Sequence, residues 1–169
     1  MALVTIDIGD CKVSNNASDE LVTYGLGSCI AVMVHDPVAK VSGLLHFMLP
    51  ESGLDLHKAA MRPHMFADTG IPRLFQSAYQ LGALKQRMIV MATGGAQMLD
   101  PHGTFNIGKR NHLEMRKIFW KAGVVVRKEE MGGSTSRTVR MDVATGRVQL
   151  FMPGLPPHDL VPGVRSGGL

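Results

Sequence analysis

Two uninterrupted apolar runs place the strongest constraint on this chain. Cys29-Ile30-Ala31-Val32-Met33-Val34 stops at Asp36-Pro37, and Gly43-Leu44-Leu45-His46-Phe47-Met48-Leu49 stops at Pro50. Neither alternates as a strand with one wet face does, so both are predicted to be strands covered on both sides. The residues between them predict a hairpin with the loop Asp36-Pro37-Val38-Ala39, in which His35 faces Lys40 and Cys29 falls opposite His46.

Further strands are predicted for Val4-Thr5-Ile6-Asp7-Ile8 and for Leu21-Val22-Thr23-Tyr24, with Ser14 to Asp19 as a polar loop. Helical spacing from about Ala59 to Leu81, interrupted by Gly70 and Pro72, predicts two helical pieces with Pro72 near the start of the second. Met88-Ile89-Val90-Met91-Ala92 reads as a central strand opening into Gly94-Gly95, followed by a helix from about Ile107 to Lys121 that Gly123 ends. Val124-Val125-Val126, Thr138 to Val143 and Arg147 to Leu150 read as three more strands, the last two a hairpin. Strand-like runs on both sides of the helical segments predict the α/β class: a single layered domain with mixed, mainly antiparallel β-structure and at least two helices. Residues 1–152 are expected to form it. Residues 153–169, with four prolines, four glycines and no periodicity, are expected to be a poorly ordered tail.

Composition narrows the setting. At 169 residues the chain can bury the core of one domain, and 45% hydrophobic with 19% charged residues is the balance of a globular protein. No segment is apolar enough to enter a bilayer, and the start lacks the basic and apolar regions of a secretory signal, so a cytoplasmic protein is expected. In a reducing compartment Cys11 and Cys29 read as free thiols. Seven basic residues lie between 109 and 128 (Lys109, Arg110, Arg116, Lys117, Lys121, Arg127 and Lys128), against one acid, Glu114. Without a known module or interleaved aromatics this pattern does not predict nucleic-acid binding.

The stretch Thr23-Tyr24-Gly25-Leu26-Gly27-Ser28-Cys29, followed by His46, carries the chemistry. Glycines and a serine ahead of a cysteine allow a tight turn whose successive N–H groups, around Gly27 and Ser28, can converge on an oxyanion. A thiolate is a strong nucleophile, and a nearby imidazolium can lower the thiol pKa below its free value of about 8.5. Thr23 could orient the imidazole. Each residue also has a plainer reading: cysteines heading apolar strands are commonly core residues, and histidines among leucines are commonly buried and satisfied. Cys11 reads as structural. His57 and His64, seven apart with no partner of ligand type, do not predict a metal site.

These residues resemble the CheD chemoreceptor deamidases. The resemblance rests on residues 23–32 and 43–50, with six positions from Thr23 to Cys29 and seventeen from Cys29 to His46. It continues through Phe66-Ala67-Asp68-Thr69, Gly94-Gly95-Ala96-Gln97-Met98, Ile107-Gly108-Lys109-Arg110-Asn111, Gly132-Gly133 and Arg137. Ser136 departs from the family pattern, which has glycine before the arginine. The resemblance implies a fold like the catalytic domain of cytotoxic necrotising factor toxins. It also implies deamidation of glutamines in the cytoplasmic domains of chemoreceptors through a thioester on Cys29, with His46 as acid and base, Thr23 orienting it, and no metal or organic cofactor. A chemotaxis phosphatase of the CheC type is an implied partner. The same residues would also suit another thiol-dependent amidase or peptidase, or a non-catalytic chemotaxis adaptor.

The basic segment could be a solvated helix face, or it could steer an acidic helical substrate toward the site. If it steers, Arg116→Glu combined with Lys117→Glu should slow association with a receptor fragment in stopped-flow mixing. The wild-type rate should also fall as salt shrinks the Debye length from roughly 30 to 8 Å.

Overall fold

The chain forms ten strands and three α-helices in a computed structural model describing residues 2–98 and 105–163. In chain order these are β1 (Ala2–Thr5), β2 (Asp10–Ser14), β3 (Asp19–Leu26), β4 (Ile30–Asp36), β5 (Val41–Phe47), α1 (Leu56–Met61) and α2 (Ala67–Gln80). There follow β6 (Ile89–Gly94), α3 (Ile107–Ala122), β7 (Val126–Met131), β8 (Arg137–Asp142), β9 (Val148–Phe151) and β10 (His158–Leu160). They make two five-stranded sheets, β1-β3-β8-β9-β10 and β2-β5-β4-β6-β7. Among the described residues every pairing is antiparallel except β1–β3 and β6–β7. The expected α/β class, mixed and mainly antiparallel, is the one observed.

Strands β4 and β5, which take up most of the two apolar runs, are buried along their whole length because each face of the second sheet has a cover, while Met48 and Leu49 lie beyond β5 and are half-buried. On one face Ala31, Met33, Leu44 and Met91 meet Leu21, Val139, Met141 and Leu150 of the first sheet. On the other, Val32, Val34, Leu45 and Phe47 meet Leu74 of α2 and Phe119 of α3. The molecule is thus sheet on sheet on helices. Each large apolar side chain taken from water in these two layers contributes roughly 1.5–3 kcal/mol before entropy is counted. β6, α3 and β7 form a strand–helix–strand unit whose strands are parallel neighbours, which lays α3 across the outer face of the second sheet.

Several expected boundaries move. The first strand ends at Thr5, and Gly9, at φ +69, turns the chain into β2, whose short Cys11/Val13 alternation is easily passed over in the sequence. The helical break falls at Arg62 to Phe66 rather than at Gly70. Helix α2 runs unbroken through Gly70 and Pro72, because Gly70 lies against Leu45 and the His64 backbone, and Pro72 removes only one helical N–H donor. Val124 and Val125 precede a strand instead of forming one, since the Val124 N–H caps α3 at the Phe119 carbonyl. Within the segment expected to be a loose tail, His158–Leu160 pairs with β9, and His158 Nε2 lies 2.9 Å from Glu130 of β7. Residues 164–169 lie outside the described residues.

Gly108, in the first turn of α3, packs closely against the turn that follows β6. A Cβ there would sit 2.5 Å from the carbonyl oxygens of both Gly95 and Ala96. Helix propensity alone would make Gly108→Ala stabilising by about 1 kcal/mol. Overpacking should reverse the sign, for a net loss of roughly 1–3 kcal/mol seen as a lower urea midpoint at unchanged m-value.

Candidate active site

Between β3 and β4 the chain must cross from the first sheet to the second. Pairing of β3 with β8 is regular to Thr23, slips, and resumes at Leu26 opposite Arg137. The slip exposes Tyr24 and Gly25, with Gly25 at φ +66, and returns Leu26 to the core between the sheets. Gly27, Ser28 and Cys29 then make the crossing. Their three carbonyls are each bonded: Gly27 accepts from the Ala96 N–H at 2.9 Å, Ser28 from Asn111 Nδ2 at 3.0 Å, and Cys29 from the Gly95 N–H at 2.9 Å. Gly94-Gly95 is therefore a close-packed turn beside the candidate site. Gly94 itself (φ +119) leaves no room for a Cβ against the Cys29 carbonyl. Buried Arg137 holds this turn from below, donating to the carbonyls of Gly94 (3.2 Å) and Gly132 (3.0 Å).

The expected hairpin register is wrong by two residues. Asp36 pairs with Val41, so the loop is Pro37 to Lys40, and His46 faces Ala31 rather than Cys29. Asp36 belongs to the strand because its buried carboxylate is fully employed. It accepts from the N–H groups of Val38 (2.9 Å), Ala39 (3.0 Å) and Leu84 (2.9 Å), and from Arg87 Nε (2.9 Å). Lys40, at φ +56, takes the left-handed position that closes the loop. A shift of two preserves the alternation of faces. Cys29 and His46 still point into the same inter-sheet layer, as diagonal neighbours, for which Cβ separations of roughly 7 Å are usual.

Thr23 and His46 meet directly, with Oγ1 to Nδ1 at 2.7 Å, both side chains fully buried. The same hydroxyl donates to the Ile6 carbonyl at 2.7 Å. A hydroxyl has one proton, so with that proton on Ile6 it can only accept from His46, which fixes the hydrogen on Nδ1. Nε2 then carries the lone pair, and it is buried with no hydrogen-bond partner among the described residues. Burial drives the His46 pKa down to about 4, against a small upward pull from Asp7. Burial also pushes the Cys29 thiol up to about 11, with its own backbone N–H pulling slightly the other way. Both shifts have burial as their main cause, and both favour the uncharged forms over the thiolate–imidazolium pair that the sequence suggests.

A cleft of about 310 Å³ opens beside Ser28, lined by Ala96, Met98, Phe105 and Gly108 among others. Cys11 lies on the opposite face of the second sheet, packed toward the helices, and both cysteines are free. No group of three or more metal-ligating side chains occurs among the described residues, and no helix there is long and apolar enough to cross a membrane. Lys109, Arg110, Arg116, Lys117 and Lys121 are all exposed on α3. Sequence reasoning gave no role to Asn111, Ala96 or the Ile6 carbonyl. The glycines at 94, 95 and 108 are the signal that could have shown that something packs closely there.

Residues 48–151 match the family model described as CheD chemotactic sensory transduction. A Syntrophus aciditrophicus protein named probable chemoreceptor glutamine deamidase CheD 1 is 51% identical over 95% of this chain and all of its own length. The chain belongs to the CheD family. A Solibacter usitatus CheD, also named a probable chemoreceptor glutamine deamidase, is 44% identical over 99% of both chains, and a Thermotoga maritima CheD is 38% identical over 85% of this one. A solved Neisseria meningitidis protein of the DUF152 family model aligns distantly, at 11% identity and TM-score 0.46 over 80% of this chain and 64% of its own. The family-model match begins after Thr23, Cys29 and His46 and covers the elements that brace them.

The buried imidazole has a consequence for stability. Folded His46 takes its proton only near pH 4, whereas an unfolded histidine does so near 6.5. Its contribution is therefore complete above pH 6.5 and is lost as the pH falls from 6.5 to 4, by roughly 3 kcal/mol. Urea titrations should show wild type losing about that much more stability across this window than His46→Gln. Equal losses would mean His46 titrates normally in the folded chain.

Proposed function

We propose that this chain deamidates glutamine side chains of chemoreceptors by thiol catalysis, in the cytoplasm, with Cys29 as nucleophile. The observation that carries the reading is the Thr23 hydroxyl, committed to the Ile6 carbonyl, which leaves His46 with a bare Nε2 in the layer that also holds the Cys29 thiol. Its relatives are named chemoreceptor glutamine deamidases, and the same substrate is proposed for this chain.

Burial favours the uncharged form of both groups, so in the proposed reaction proton transfer accompanies attack. His46 Nε2 takes the thiol proton as Sγ bonds to the carboxamide carbon, and the carbonyl electrons move to oxygen, facing the N–H groups of Ser28 and Cys29. The tetrahedral adduct collapses, the C–N bond breaks, and the imidazolium returns its proton to nitrogen, releasing ammonia and leaving a thioester. His46 then draws a proton from water, which attacks the thioester to give glutamate and restore the thiol. Thr23 does not exchange protons with substrate; it holds the ring by accepting from Nδ1. The reaction calls on no metal or organic cofactor. A CheC-type phosphatase is a fitting regulatory partner, and residues 1–152, with β10 completing the first sheet, the catalytic unit.

The reading is tested by incubating a receptor cytoplasmic fragment with the protein. Mass spectrometry should show the gain of about one dalton that exchanging amide for acid brings at defined glutamines. Ammonia should be released from the receptor but not from free glutamine, which separates this activity from a general amidase. Cys29→Ser and His46→Ala should each lower kcat by on the order of 10³ or more with the fold intact, and Thr23→Ala by roughly 10–100-fold. Equal losses at all three would give Thr23 a larger part than orientation. Unchanged turnover in Cys29→Ser would remove the thiol from the reaction.

A further inference from the structure

The oxyanion donor on Cys29 is aimed from behind. None of the described peptide bonds is cis, so the carbonyl and the N–H of one peptide unit point in opposite directions. The Ser28 carbonyl and the Cys29 N–H belong to the same unit, so whatever holds the carbonyl sets the direction of the N–H. That carbonyl is held by Asn111. Its Nδ2 donates to the Ser28 oxygen at 3.0 Å and also to the Met48 oxygen at 2.9 Å, two residues beyond His46. One fully buried side chain therefore ties the turn bearing Cys29 to the segment leaving the strand that bears His46. Its own position is fixed, since Gly108, one turn earlier on α3, is packed against the carbonyls of Gly95 and Ala96. The flanking Gly27 and Cys29 carbonyls are held by main-chain N–H groups, which substitution cannot remove. At Ser28 a side chain does this work, and it can be changed.

We infer that Asn111 is a positioning residue: by fixing the Ser28–Cys29 peptide it aims the Cys29 N–H at the oxygen that becomes negative, and it holds the nucleophile's turn in place relative to His46. The inference rests on the proposed Cys29–His46 reaction but concerns a step that need not involve a receptor. Two reagents separate its contribution from mere folding. p-Nitrophenyl acetate acylates a thiol through a tetrahedral oxyanion and needs the donor; iodoacetamide alkylates the same thiol by direct displacement of iodide and forms no oxyanion.

Both reactions are followed on the full-length protein by the mass of the Cys29 peptide, which excludes any signal from Cys11. In Asn111→Leu, acylation should fall by roughly 10–100-fold, part of what losing an oxyanion donor outright costs, while alkylation stays within about twofold of wild type. Asn111→Asp keeps the side chain's shape but cannot donate while ionised. It should show the same split at pH 8 and regain acylation relative to wild type as the pH is lowered toward 5 and the carboxyl acquires a proton to donate. It also serves as the reading if circular dichroism shows Asn111→Leu to be unfolded. Acylation and alkylation falling together in Asn111→Asp would make Asn111 an ordinary structural residue, and both staying at wild-type rates would remove it from the site; either result overturns the inference. If the wild type shows the acylation expected of it but deamidates no receptor, the substrate assignment fails and the role of Asn111 stands.

Discussion

A histidine enclosed between two apolar sheets has to satisfy its ring N–H, and that single requirement organises the surrounding structure. His46 meets it through Thr23, and Thr23 can accept because its own proton is spent on the Ile6 carbonyl. Three segments far apart in sequence are joined by two short hydrogen bonds. An unmade hydrogen bond here would cost about 1–3 kcal/mol, and an ionised ring more, so burial and bonding together hold the imidazole neutral with one nitrogen unused. That spare nitrogen is an energetic debit to the fold, and the proposed reaction makes use of it.

The second requirement is that the chain change sheets without leaving polar backbone unpaired. The crossing at Gly27 to Cys29 meets it with three donors from two separate elements, the Gly94-Gly95 turn and α3. Arg137, inserted from the first sheet, closes the arrangement by bonding the same turn. Viewed this way, the scattered motifs after residue 90 belong to one device, a brace around three peptide units.

Much of this was legible in the sequence, and the parts that were not have identifiable causes. The apolar runs of β4 and β5 announce burial on both faces because covered strands need no polar alternation. The glycines at 94 and 95 announce close packing because no side chain could fit. Register was not legible. It depends on Asp36, which reads as a loop residue before proline until Leu84 and Arg87, some fifty positions away, are seen to hold its carboxylate within the strand. The burial of the thiol and the imidazole was not legible for a related reason: a cysteine and a histidine brought together by strand logic say nothing about how much water both have lost. Helix α2 shows the limit of local rules, since Gly70 and Pro72 signal a break that packing against β5 overrides.

The strand–helix–strand unit of β6, α3 and β7 also bears on the order in which competence is acquired. Thr23, Cys29 and His46 all lie in the first third of the chain, whereas Gly95, Ala96 and Asn111, which hold the crossing, come later. During synthesis the Cys29 thiol is therefore made well before the donors that shape its turn. Until β6 has paired with β4 and α3 has docked, the three carbonyls of the crossing belong to water and the Cys29 N–H has no fixed direction. A nascent or partly opened chain can carry Thr23, Cys29 and His46 and still lack the braced crossing, so that the shape of the turn at Cys29 depends on closure of the entire domain.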